Sequence, residues 1–164
     1  MQNVDPTRLE GGQHLIRALA TKQKPSVVWL TGLSGAGKTT ISLALEARLQ
    51  ARGLHTMMID GDALRAELCR DLGFDELDRA ENIRRATEVS ALMLQAGLIV
   101  IAALISPFQR DRDRARRRFA PGAFCEVFVD TPLSECVLRD PKGLYSRSKA
   151  GSLHSLSGVD SPYE

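Results

Sequence analysis

An α/β fold, with a parallel sheet between helices on both faces, is predicted from three features of this 164-residue chain. Four short apolar runs alternate with segments of helical periodicity, the pattern that strand–helix–strand units produce. The first run leads directly into a glycine-rich loop and then a helix, the order in which such sheets expose a ligand site. The composition, 43% hydrophobic and 26% charged, is that of one ordinary globular domain with a sizeable core.

Residues 1–25 read as a leader outside the core, because Asp5-Pro6, Gly11-Gly12 and the Lys22 to Pro25 stretch leave room only for a short helix around Gln13 to Ala20. The domain proper is expected over 26–164. Its strands are Val27 to Thr31, Leu54 to Ile59, Leu98 to Ile105 and Cys125 to Val129. Between the first two, Ile41, Ala44, Leu45 and Leu49 keep helical spacing until Gly53 stops the helix. Arg79 to Ala96 is the clearest helix, with Ile83, Ala86, Val89, Ser90, Met93 and Leu94 on one face and Gly97 as its stop. The basic Arg110 to Arg118 stretch, interrupted by Asp111 and Asp113, reads as a solvated helix. Pro132 to Arg139 forms a short helix, and the serine- and glycine-rich segment over about 140–157 reads as a lid, with a plain disordered tail as the alternative.

Gly32 to Thr40 reads Gly-Leu-Ser-Gly-Ala-Gly-Lys-Thr-Thr, a full match to GxxxxGK[ST] placed after a strand and before a helix. This makes the sheet P-loop NTPase-type. The backbone of Gly32, Leu33, Ser34, Gly35, Ala36 and Gly37 can cradle an anion, Lys38 reaches the β and γ phosphates, and the Thr39 hydroxyl can ligate Mg²⁺. A parallel sheet binds ligands beyond the carboxyl ends of its strands, so chemistry should gather after Thr31, Ile59, Ile105 and Val129. Asp60-Gly61-Asp62 stands at one of these places. Of these carboxylates, one can hold Mg²⁺ and the other can accept a proton from an attacking hydroxyl, although Asp62 could instead cap the next helix. Arg65, Arg70, Arg79, Asn82, Arg84 and Arg85, with Phe74 among them, then look like a second pocket, for an anionic nucleotide, even though each arginine taken singly is more often a solvated side chain. Ser106 brings a hydroxyl to the end of the third strand.

Other classes fit poorly. A formal net charge of +2 does not suit a dedicated nucleic-acid binder, and the basic stretch lacks interleaved aromatics. The longest apolar run, Ala96 to Ile105, is too short to span a bilayer. Cys69, Cys125 and Cys136 are odd in number, without paired zinc spacing, and no signal-like stretch opens the chain, so a reducing cytoplasm is expected. His14, His55 and His154 share no metal spacing.

Taken together, Gly-Leu-Ser-Gly-Ala-Gly-Lys-Thr, Asp-Gly-Asp, Arg-Asp-Leu-Gly-Phe, Glu-Asn-Ile-Arg-Arg, Ile-Ser-Pro-Phe, Val-Phe-Val-Asp-Thr-Pro, Arg-Asp-Pro-Lys-Gly-Leu-Tyr and Gly-Val-Asp-Ser-Pro-Tyr-Glu closely resemble the adenylylsulfate kinases. The resemblance implies transfer of the γ-phosphoryl group of ATP to the ribose 3′-hydroxyl of adenosine 5′-phosphosulfate, with Mg²⁺, in sulfate activation. It implies that Lys38, Asp62 and Ser106 are catalytic, that Gly32 to Thr40 and Arg139 bind ATP, and that Thr39, Asp60 and Asp62 serve the metal. The substrate would be held by Arg65, Phe74, Arg79, Asn82, Ile105, Ser106, Lys142 and Leu144. Direct in-line transfer is favoured over a relay through Ser106, for which no activating base is evident. A homodimer and fusion or association with an ATP sulfurylase are further implications.

Four departures stand out: Ala63 and Cys69 each replace an Asn, Leu156 replaces a lid aromatic opposite Phe74, and the family continues past Glu164 with another strand and helix. On the last ground the domain is expected to lack its final strand and helix, exposing a sheet edge. Two alternatives stay open, a non-catalytic nucleotide-binding or regulatory module and a kinase for another small metabolite. A GTPase is disfavoured because no Asn-Lys-x-Asp guanine reader is present.

Overall fold

The computed structural model describes residues 22–164, so the expected helix around Gln13 to Ala20 lies outside the described residues. Four strands, β1 (Ser26–Thr31), β2 (Thr56–Asp60), β3 (Ile99–Ala103) and β4 (Phe124–Phe128), form one parallel sheet in the order β2-β3-β1-β4. Six helices connect or follow them: α1 (Lys38–Gln50), α2 (Gly61–Ala66), α3 (Glu76–Gln95), α4 (Gln109–Arg117), α5 (Leu133–Arg139) and α6 (Leu144–Lys149). The three-layer expectation holds. Strand alternation sends Val27, Trp29, Val100 and Ala102 to one face, where Ile83 and Ala86 of α3 and Ala115 of α4 cover them. Leu30 and Ile101 face the other way, against Leu45 and Leu49 of α1, Cys136 of α5 and Tyr145 of α6.

The strand order fixes the site. From β1 the chain crosses to β2 on one side of the sheet, whereas from β3 it crosses to β4 on the other. β1 and β3 are neighbours, so a crevice opens where their carboxyl ends diverge, between the glycine-rich loop and residues Leu104 to Ser106.

Three readings need correction. Gln23, expected in the leader, is buried and clamps the start of the sheet: its side-chain amide donates to the carbonyls of His55 (2.9 Å) and Gly97 (2.7 Å) and accepts from the His55 N–H at 2.7 Å. The domain therefore begins before residue 26. On α1, Ile41 faces solvent and buried Ser42 takes its place beside Leu45 and Leu49, because the spacing of apolar residues does not reveal where the sheet lies. On α4, Asp111 and Arg112 are buried rather than solvated.

The 140–157 segment is ordered rather than a disordered tail. Asp140 caps α6 through hydrogen bonds from the Tyr145 and Ser146 N–H groups, and the Tyr145 hydroxyl donates to the Ser34 carbonyl at 2.8 Å. Leu156 is buried in the core with Tyr145 and Leu33. At the sheet edge, no strand among the described residues pairs with the outer side of β4, where Val127 and Phe128 are exposed. No described helix is long and apolar enough to cross a membrane.

Leu104 closes the first core cluster beneath the crevice and is 2% exposed, so Leu104→Ala removes buried area and leaves a cavity. It should cost about 2–5 kcal/mol of unfolding free energy, read from the midpoint shift in urea at constant slope.

Candidate active site

The glycine-rich loop leaves β1 at Gly32, whose φ of +146° and closeness to β4 both exclude a side chain: a Cβ there would lie 2.8 Å from the Val129 carbonyl oxygen. Lys38 opens α1 and folds back, its ammonium donating to the carbonyls of Gly32 and Leu33 at 2.8 Å each. The loop is thus held closed around its own lysine. Burial lowers the Lys38 pKa to about 8, with Lys142 adding to the shift while Cys136, Asp62 and Asp60 oppose it. An arriving phosphate relieves that unfavourable charge burial.

Beside Lys38, the Thr39 hydroxyl donates to Asp60 Oδ2 at 2.9 Å, and the other oxygen of Asp60 accepts the Asp62 N–H at 2.9 Å. The helix cap is therefore Asp60, not Asp62. An Asp at that position satisfies an otherwise orphaned N–H of α2, and it frees the Asp62 side chain to project over the site. There it forms an ion pair with Lys142 from the lid. Thr39 and Asp60 supply hard oxygen atoms suited to Mg²⁺, which takes few protein ligands and several from phosphate and water. Among the described residues no cluster of three or more His, Cys, Asp or Glu could hold a metal alone, so the donor set fits a metal carried largely by a nucleotide.

Of the residues expected in a second pocket, Arg65, Phe74, Arg79 and Asn82 line the cavity, whereas Arg70, Arg84 and Arg85 do not: Arg84 pairs with Glu81, and Arg85 with Glu81 and Asp71. The Arg65 guanidinium lies 4.4 Å from the Phe74 ring centroid and donates to the Gly73 carbonyl at 2.7 Å. Arg79 lies 5.8 Å from the same ring and donates to the carbonyls of Phe74 (2.8 Å) and Ser155 (2.5 Å). Burial holds both guanidiniums below their ordinary pKa, and Arg65 further depresses Arg79. Two neighbouring cations that repel each other mark a place for an anion. Asn82 is 5% exposed, and its Oδ1 has no hydrogen-bond partner. A buried amide oxygen left in this state is poised for a ligand donor.

One cavity of about 910 Å³ joins the two halves, and Lys38, Asp62, Phe74, Arg79, Asn82 and Lys142 all line it. Ile105, Leu144, Arg139 and Leu156 also line it. Arg139 reaches over the phosphate loop, donating to the Gly35 carbonyl at 3.4 Å. Ser106 is placed differently from a reactive hydroxyl. It is 2% exposed, accepts from Trp29 Nε1 at 3.1 Å and donates to the Thr31 hydroxyl at 3.0 Å, with no base at hand. Tyr145, the last residue of the Arg-Asp-Pro-Lys-Gly-Leu-Tyr motif and placed in the lid by the family resemblance, bolts that lid to the loop through the Ser34 carbonyl. Arg112, which supports the Ser106 loop, was missed because the charges around it mask it.

A phosphate loop and an anion pocket sharing one cavity, on this sheet order, define a P-loop protein of the kinase class. Residues 24–164 match the adenylylsulphate kinase family, and the chain belongs to it. It is 55% identical over 148 residues to an adenylyl-sulfate kinase of Pseudomonas aeruginosa, spanning 90% of this chain and 76% of that protein. It is 57% identical over 148 residues to the bifunctional enzyme NodQ of Azospirillum brasilense, again over 90% of this chain but only 24% of that much longer protein. The fold matches the Mycobacterium tuberculosis APS kinase CysC, solved in complex with AMPPNP and APS, with a TM-score of 0.83 and 44% identity over 86% of this chain and 83% of that one.

The depressed Lys38 pKa sets a pH dependence. Between about pH 8 and the ordinary value of 10.5 the unfolded chain binds the proton that folded Lys38 has lost, so stability rises with pH across that window. The stability difference between the native protein and Lys38→Met, followed by denaturant unfolding without nucleotide, should therefore move in the native protein's favour from pH 8 to 10.5.

Proposed function

We propose that this chain transfers the γ-phosphoryl group of ATP to the ribose 3′-hydroxyl of adenosine 5′-phosphosulfate. The reading is carried by one observation: the phosphate loop with Lys38 and the Arg65–Phe74–Arg79 pocket share one cavity with Asp62, whose side chain is free of the capping role that Asp60 fills. ATP occupies the loop side, with its phosphates on Lys38 and the loop backbone and Arg139 close by. The acceptor occupies the other side, with its adenine against Phe74, its phosphosulfate toward Arg65 and Arg79, and Asn82 Oδ1 taking a donor from it.

The acceptor oxygen attacks the γ-phosphorus, the bond from that phosphorus to the β,γ-bridging oxygen breaks, and ADP leaves. The hydroxyl proton passes to Asp62. Lys142 pairs with Asp62 before substrates arrive and then turns to the phosphates, uncovering the carboxylate. Mg²⁺ would be held by Thr39, with Asp60 orienting that hydroxyl, and would supply charge neutralisation for the transferred phosphoryl group. The buried, baseless Ser106 hydroxyl supports direct transfer over a covalent relay. Closure by the lid excludes water that would otherwise hydrolyse ATP. Residence in the cytoplasm, a homodimer and a sulfurylase partner belong to the same reading.

Purified protein given Mg-ATP and adenosine 5′-phosphosulfate should form 3′-phosphoadenosine 5′-phosphosulfate and ADP in equal amounts, resolved by anion-exchange chromatography. Asp62→Asn should lower kcat by about 10²–10⁴-fold while ATP still binds. Tight ATP binding without turnover in the native protein would instead favour a nucleotide-binding module, and transfer to shikimate or plain AMP in preference to the phosphosulfate would favour another kinase.

A further inference from the structure

Ser106 has a φ of +38°, a left-handed conformation that a non-glycine residue keeps only when its surroundings impose it. The imposition comes from two sides. Arg112, 8% exposed, donates from Nη1 to the Ser106 carbonyl at 2.9 Å, from Nε to Glu126 on β4 at 2.9 Å, and from Nη2 to the Glu164 carbonyl at 2.8 Å. On the hydroxyl side, Ser106 is held by Trp29 and Thr31. Thr31 spends its one proton on the Ile105 carbonyl at 2.7 Å, so the Tyr163 hydroxyl, 2.8 Å away, is the donor to Thr31. The Arg112 guanidinium also lies 5.8 Å from the Tyr163 ring centroid, which closes the circuit.

Arg112 and Tyr163 do not line the large cavity, whereas Ile105 and Ser106 do. We infer that Arg112 and Tyr163 are positioning residues: they hold the loop after β3 in its strained shape, and that shape forms the wall against which the acceptor nucleotide is set. The inference rests on the proposed function for the identity of the acceptor, but the geometry it asserts can be read without any ligand. Arginine is required because its planar fork spans three acceptors in different directions, which a lysine ammonium on a flexible stem does not reproduce. The ATP side, built on the loop from Gly32 to Gly37 and on α1, makes no hydrogen bond to Arg112 or Tyr163, so the two substrates should respond differently to the loss of either.

The test uses Arg112→Lys and Tyr163→Phe in the otherwise intact chain, with Ser106→Ala as the reference. Trp29 is the sole tryptophan in the sequence, and its indole N–H donates to Ser106, so its emission reports on this loop. In the ligand-free proteins, both variants should shift Trp29 emission toward the blue, as Ser106→Ala should when the indole loses its acceptor. In turnover, both should raise the KM for the phosphosulfate acceptor by about tenfold while leaving the KM for ATP within about twofold. If Arg112→Lys does not fold, judged by circular dichroism, Tyr163→Phe decides alone because it removes a single hydroxyl. Equal rises in both KM values, or unchanged KM values in a folded variant, would overturn the inference. If the native protein does not turn over the phosphosulfate, the proposed function fails, and the emission decides this inference by itself: unchanged Trp29 emission in both variants overturns it, and a shift sustains it.

Discussion

The adjacency of β1 and β3, whose onward connections run to opposite sides of the sheet, is the constraint on which this site depends. Parallel strands aim all their carboxyl ends one way, and the reversal between these two leaves a gap that no described helix fills. Lys38 enters from the loop after β1, Asp60 and Asp62 from the end of β2, and Ile105 and Ser106 from the end of β3. Each arrives on a rigid element with a short tether. The cavity is therefore a product of chain crossing rather than of any single motif.

Charge is distributed across that cavity in a way suited to polyanionic guests. Lys38, Arg65 and Arg79 are each buried enough to be pushed below their ordinary pKa, even though Asp60, Asp62, Asp78 and Asp160 oppose the shift. In the absence of a ligand the lysines borrow partners: Lys38 takes backbone carbonyls of its own loop and Lys142 takes Asp62. Bound phosphates compete for both lysines at once. In the proposed reaction, binding of ATP and exposure of Asp62 are coupled through that competition.

The sheet, its order of elements and the phosphate loop were legible because local signals and global fold agree there, as four apolar runs, glycine stops and a loop of known chemistry all point the same way. The pocket residues Arg65, Phe74, Arg79 and Asn82 were legible only as a set, since nothing in the composition separates a buried arginine from a solvated one. Arg112 illustrates the limit. Inside a run of alternating charges it looks solvated, and only the proximity of Glu126 and Glu164, many residues away in sequence, shows why it is drawn inward. Gln23 was hidden for the same reason, because its three partners sit at His55 and Gly97. Leu156 was read as the loss of a stacking partner, yet it completes the core between the lid and the loop, a role set by packing that sequence spacing does not encode.

Asp60 uses its two oxygens separately, one on the Thr39 hydroxyl and one on the Asp62 backbone. A single rigid carboxylate thereby acts as a ruler between the donor half of the site and the acceptor half. With only Gly61 between the two aspartates, the interval has no slack: lengthening it by one residue would detach the ruler from one of its marks, and a longer side chain at Asp60 would slide both marks together. The spacing of Asp60-Gly61-Asp62 is thus a unit of length, fixed by the two hydrogen bonds of one side chain.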